Sequence, residues 1–129
     1  MLDQIANFIT AAILGIMVFF SFVIAPITFT VLDEENARKF IRKIFPYYYL
    51  VNLILSLLSL ISFYYVQQFL TDFYLVLLVA ILFVISNFIL MPLINYFRDN
   101  NQEKRFKYFH ALSVIINFLQ LFILVYILF

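Results

Sequence analysis

"FFSFVIAPITFTVLDEENARKFIRKIFPYYY", residues 19–49, leaves an apolar run through Pro26 and passes three acids, Asp33, Glu34 and Glu35. Four bases follow, Arg38, Lys39, Arg42 and Lys43, before Pro46 opens a second apolar run. A chain of 129 residues that is 67% hydrophobic and only 12% charged places seven charges in this short interval. A helix crosses a hydrocarbon layer about 30 Å thick with roughly 20 apolar residues. The charged interval therefore reads as the exposed connection between two crossings.

Working outward, residues 5–27, 46–66, 73–96 and 109–129 form four apolar runs, each long enough to span as a helix. They are apolar on every side and lack the alternation that strands of a membrane barrel require. The expected fold is an all-α integral membrane protein, a single four-helix transmembrane bundle occupying residues 1–129. An amphipathic interfacial helix over residues 33–45 joins its first two crossings. The nine tyrosines all fall at or near proposed helix ends, where amphipathic rings favour the interface. The first run has no basic n-region and no small-x-small cleavage site before Pro26, so it reads as a retained helix. With no cysteine, disulfides, thiolate metal sites and cysteine nucleophiles are excluded. A net charge of +1 gives no reason to expect nucleic acid as a partner.

All eight Lys and Arg lie in two connections: Arg38, Lys39, Arg42 and Lys43 in the first, Arg98, Lys104, Arg105 and Lys107 in the third. The second connection, residues 67–72, has none. Basic residues accumulate on the cytoplasmic side, which predicts a multi-pass protein with connections one and three cytoplasmic and both termini on the far side of the membrane.

Within residues 33–45, Ala37, Phe40, Ile41 and Ile44 follow helical spacing and the four bases occupy the adjoining face. Glu34 with Arg38 and Glu35 with Lys39 are i, i+4 pairs. Arg38, Lys39, Arg42 and Lys43 are candidates for contact with anionic lipid headgroups, against the plainer reading of a linker lying on the leaflet. Pro46 suits a helix first turn. In the third connection, Asn100 with Glu103 resembles a capping box, so helix four is expected over 101–129, beginning before its apolar run.

No Asp, Glu, Lys or Arg falls within the middle of a run, which weighs against a proton-coupled pump. Neutral polar residues are arranged instead. On helix four, His110, Ser113, Asn117 and Gln120 share a face; helix two offers Asn52, Ser56 and Ser59, helix three Asn87 and Asn95, and helix one Asn7, Thr10 and Ser21. These stripes are expected to meet in one interior, either as interhelical hydrogen bonding or as a ligand pocket. The ligand candidates are His110, Ser113, Asn117, Gln120, Asn52, Asn87 and Asn95. Pro26 and Pro92 free the carbonyls of Phe22 and Phe88 and can bend their helices. Ala11 and Gly15 are a small-xxx-small pair suited to close helix contact. His110, the sole histidine, is expected to bond a backbone carbonyl or hydroxyl near residues 22–28.

"GIMVFFSFVIAPITF", "RKIFPYYY" and "FHALSVIINF" together make the chain similar to the transmembrane-protein-205-like family of small membrane proteins. The resemblance rests on Gly15, Phe19, Phe20, Ala25, Pro26, Phe29, Phe45, Pro46, Tyr48, Pro92, His110, Ser113 and Asn117. It implies a four-helix membrane protein without an established biochemical activity. The layout is also similar to haem proteins of the protoporphyrinogen-oxidase type and to copper-resistance membrane proteins, but helix one here has no histidine. One histidine supplies neither a bis-histidine haem nor an imidazole metal site from one chain. No nucleophile has a base beside it, so no catalytic residue is named. The expected function is non-enzymatic binding, transport accessory or structure, without a cofactor, with membrane lipid and a second copy or another membrane protein as partners. A haem- or metal-linked redox protein centred on His110 and a solute permease are the alternatives.

Overall fold

A computed structural model describes residues 1–66 and 71–129. Gln68 and most of the second connection lie outside the described residues. Four helices are long and apolar enough to cross a membrane: α1 (Asp3–Val31), α2 (Glu34–Tyr65), α3 (Thr71–Asp99) and α4 (Glu103–Leu128). Each packs on the next, and α4 returns to α1, closing an up-down-up-down bundle. One core cluster joins Ile13, Met17, Phe20, Tyr48, Tyr49, Val79, Phe83 and Leu124. A second, toward the opposite end, joins Ala6, Leu60, Phe63, Val76 and Ala80. The outer surface is apolar as well, with Phe8, Phe22, Ile54, Ile115 and Phe122 exposed. Water disfavours such a surface, whereas hydrocarbon suits it.

The expected interfacial helix is not a separate element. Residues 34–45 are the opening turns of α2, which runs without interruption through Pro46 for 32 residues. Pro46 forfeits its bond to the Arg42 carbonyl, at about 3 kcal/mol in a helix interior. Packing on both sides holds the helix together. Upstream, Ala37 is buried, and Arg42 is bonded to Asp99 of α3 at 2.5 Å. Downstream, Phe45 meets Phe20 edge-on with centroids 5.2 Å apart, and Tyr48 stacks on it at 4.2 Å. At 1.5 Å per residue α2 measures about 48 Å and exceeds the hydrocarbon layer by about three turns. Only Leu32 and Asp33, both extended, separate it from α1.

The capping box at Asn100 also does not form. Asn101 takes a φ of 57°, the left-handed region that Asn tolerates. The Gln102 N–H then reaches the Phe97 carbonyl at 2.9 Å and the Asn101 N–H reaches that of Arg98 at 3.3 Å, a Schellman closure of α3. The Asn100 side chain donates to the Tyr96 carbonyl at 2.8 Å, so it serves the end of α3 and not the start of α4.

Both α1 and α3 contain a π-helical turn, at Phe20–Ile24 and Ser86–Leu90. The Ala25 N–H bonds the Phe20 carbonyl and the Met91 N–H that of Ser86, each five residues back, and a proline follows each time. The π register widens the gap left by proline by one residue. Ser21 and Asn87 lose their usual N–H partners to the preceding carbonyl, and their π partners would be Pro26 and Pro92, which have none. The π register thus adds the carbonyls of Ser21 and Asn87 to those that simple proline reasoning names, Phe22 and Phe88. The prolines themselves are exposed. Gly15 and Ala11 also face outward, and nothing lies within 4 Å of a Cβ built on Gly15. Among the described residues, nothing packs closely on Gly15, and Ala11 is exposed beside it.

Candidate functional site

The polar interior is built from α4 outward. Asn117 is the junction: the Tyr48 hydroxyl donates to its Oδ1 at 2.8 Å, and its Nδ2 donates to Ser21 Oγ at 2.9 Å. Three helices, α2, α4 and α1, are thereby joined at one amide. Gln120, one turn on, is buried and donates to the Val79 carbonyl at 3.1 Å, which ties α4 to α3. Toward the far end Thr10 donates to the Ala6 carbonyl at 2.8 Å. That hydroxyl proton is spent, so Ser59 donates in the 3.1 Å bond joining it to Thr10.

Between Tyr48 and Ser59, the polar side chains of α2 bond their own helix. Asn52 Nδ2 donates to the Tyr48 carbonyl at 2.9 Å and Ser56 Oγ to the Asn52 carbonyl at 2.8 Å. This fixes the Asn52 amide, because turning it would set oxygen against oxygen. Its Oδ1 is buried with no hydrogen-bond partner among the described residues, and the same holds for Asn87 Oδ1. Asn52 and Asn87 are 0% and 7% exposed. Asn87 sits in the π turn of α3, and that turn packs against both α2 and α4. The interior thus presents two amide oxygens that lack donors among the described residues. Its buried polar side chains, among the described residues, are Thr, Ser, Asn and Gln, and none carries a charge.

The stripe on α4 does not enter as a whole. At about 100° per residue His110 lies about 80° round the helix from Gln120, at the rim of the polar face. Its ring is exposed and stacks on Phe106 with centroids 5.7 Å apart, and Arg98 covers Phe106 at 4.3 Å. His110 has no hydrogen bond to residues 22–28; its ring consorts with its own helix and the end of α3. Ser113 turns back to the His110 carbonyl at 2.7 Å. Asn95 is half-buried at the end of α3, where its carbonyl accepts from Arg42 at 3.4 Å, and Asn7 is exposed. Among the described residues no three His, Cys, Asp or Glu side chains come together as a metal site.

Sequence reasoning does not single out Tyr48 for the interior, because a tyrosine near a helix start reads as an interfacial anchor. Tyr48 and Tyr49 are in fact buried, whereas Tyr47, Tyr64, Tyr65, Tyr74, Tyr96, Tyr108 and Tyr126 are exposed. The paired π turns are a second feature that sequence reasoning misses. Their signal is in the sequence: "SFVIAP" at 21–26 and "NFILMP" at 87–92 share a polar residue, Phe, two aliphatics and a proline five residues after the polar one.

Two comparisons bear on kinship. A family model described as "Domain of unknown function (DUF4149)" matches residues 8–103. An uncharacterized protein of Aquifex aeolicus is 32% identical over 119 residues, covering 91% of this chain and 86% of that protein. No solved structure matches the chain.

Proposed function

The chain belongs to the DUF4149 family, a domain of unknown function, and from that premise we propose a non-enzymatic membrane protein whose polar interior binds one small molecule. The observation that carries this reading is the pair of buried, unpartnered oxygens, Asn52 Oδ1 and Asn87 Oδ1. An unpaired buried acceptor costs about 1–3 kcal/mol, so the complement is a hydrogen-bond donor. The ligand is neutral, since a cation would be buried without a counter-charge. A hydroxyl or N–H compound small enough to sit between the helices meets both conditions. The π turns support the reading, because such turns are frequent at functional sites and Asn87 sits in one of them. In this reading the four helices cross a bacterial inner membrane, with the basic connections cytoplasmic and both termini periplasmic. The resemblance to the transmembrane-protein-205-like family points to the same architecture.

Native mass spectrometry of the detergent-purified protein tests the proposal. Wild type should retain a neutral adduct that Asn52→Leu and Asn87→Leu lose. No adduct on wild type, together with greater thermal stability of both variants, would mean that the oxygens are empty and the interior serves only to hold helices together.

A further inference from the structure

The opening turns of α2 carry an open groove of about 460 Å³ lined by Lys39, Phe40, Lys43, Ile44 and Tyr47. A second groove of about 250 Å³ runs between the end of α1 and the same Phe40, lined by Ile24, Ile27, Thr28, Val31 and Leu32. We propose that these grooves together seat one anionic phospholipid. Its phosphate rests on Lys39 and Lys43, and an acyl chain passes over Phe40 along α1.

Charge complementarity selects this occupant. Of the four bases in the interval, Arg38 is engaged by Glu34, and Arg42 by Asp99 and the Asn95 carbonyl. Lys43 has no ion pair among the described residues, and Lys39 meets only Glu35, at 3.1 Å, with both side chains at least 70% exposed. An ion pair so exposed contributes little and yields readily to a phosphate. Lys39 and Lys43 are one helical turn apart, so their ammonium groups can converge on a single anion. Phe40, Ile44 and Tyr47 share the next face, and the Tyr47 hydroxyl can join at the headgroup. The site lies just before Pro46, where the apolar run of α2 begins, which is the depth at which headgroup and acyl chain meet.

The test compares phosphatidylglycerol and phosphatidylcholine adducts on the purified full chain by native mass spectrometry. Wild type should prefer phosphatidylglycerol. A surface lysine contributes about 1 kcal/mol toward anionic lipid, so Lys39→Gln/Lys43→Gln should weaken that binding roughly 25-fold. Lys104→Gln/Lys107→Gln, which removes equal charge from the other connection, should leave it within about twofold. Phe40→Gln should weaken both lipids, because it strips the apolar floor. An equal loss in the Lys104/Lys107 variant would show general attraction of charge and overturn the site, as would an undiminished preference in the Lys39/Lys43 variant.

Discussion

The Tyr48 hydroxyl and the Asn117 amide lie 2.8 Å apart across α2 and α4, and the same amide holds Ser21 of α1 at 2.9 Å. Tyr48 is positioned from below by Phe20, stacked at 4.2 Å, so its ring cannot follow another partner without breaking that contact. Tyr48→Phe keeps the ring and leaves Asn117 Oδ1 without a donor. Interhelical bonds in membranes average about 0.6 kcal/mol and reach about 1.7. The substitution should cost about 1 kcal/mol in unfolding from detergent micelles. Combined with Asn117→Leu it should cost less than the sum of the two single changes, since both remove one bond. Full additivity would mean that the bond contributes nothing.

Gly15→Ala should stabilise the protein. Space around Gly15 is open on the outer face of α1, so a methyl group meets nothing within 4 Å. Alanine favours a helix interior over glycine by about 1 kcal/mol. A gain of about that size in thermal or denaturant unfolding is expected. A loss that depends on protein concentration would instead reveal a second copy packed on this face.

Segment hydropathy makes four helices long and apolar enough to cross a membrane legible, because it is a sum over residues and needs no partner. Pairing with distant elements is not legible in the same way. Pro46 breaks helices by local rules, and contacts on both sides of it, among them Phe20 on Phe45 and Tyr48 and Arg42 held at Asp99, carry α2 through it. The π turns escape for a related reason: a one-residue change of register turns on how the bundle packs, although the matched segments ending at Pro26 and Pro92 are in plain view. Asn52, Asn87, Asn117 and Gln120 can be assigned to a polar face by spacing alone. Spacing does not resolve the rim of such a face, and there His110 turns outward.

The proposed orientation rests on the confinement of bases to alternate connections. Single cysteines at Asn36 and Asn101, both exposed, should react with a membrane-impermeant maleimide only from the cytoplasmic side, and one at Thr71 only from the periplasmic side. Labelling of Asn101→Cys in intact cells would reverse the assigned orientation.

The Arg42–Asp99 pair makes a pH dependence that can be isolated. Asp99 closes α3 in the polar cap beyond the apolar run, and its two oxygens accept from Arg42 at 2.5 and 3.2 Å. The hydrogen bond from the guanidinium, aided by its charge, holds the Asp99 carboxyl below its ordinary value of 3.8. A carboxyl with a depressed folded-state pKa favours folding above its unfolded pKa, and that contribution disappears as pH falls through the folded value. The contribution of this contact is therefore complete at about pH 5 and above and declines below about pH 4. Asp99→Asn cannot ionise, so it should remove this component. The difference in melting temperature between wild type and Asp99→Asn should be constant from about pH 7 to pH 5 and should shrink toward about pH 2. Arg42→Gln should act in the same direction, because it returns Asp99 to an ordinary carboxyl. It should also free the first turns of α2 from the end of α3, since the bond from Arg42 to the Asn95 carbonyl goes with it. Backbone amides around Ala37 should then exchange with solvent faster in Arg42→Gln than in Asp99→Asn. A difference between wild type and Asp99→Asn that stays constant down to about pH 2 would show that the pair does not hold the two helices together.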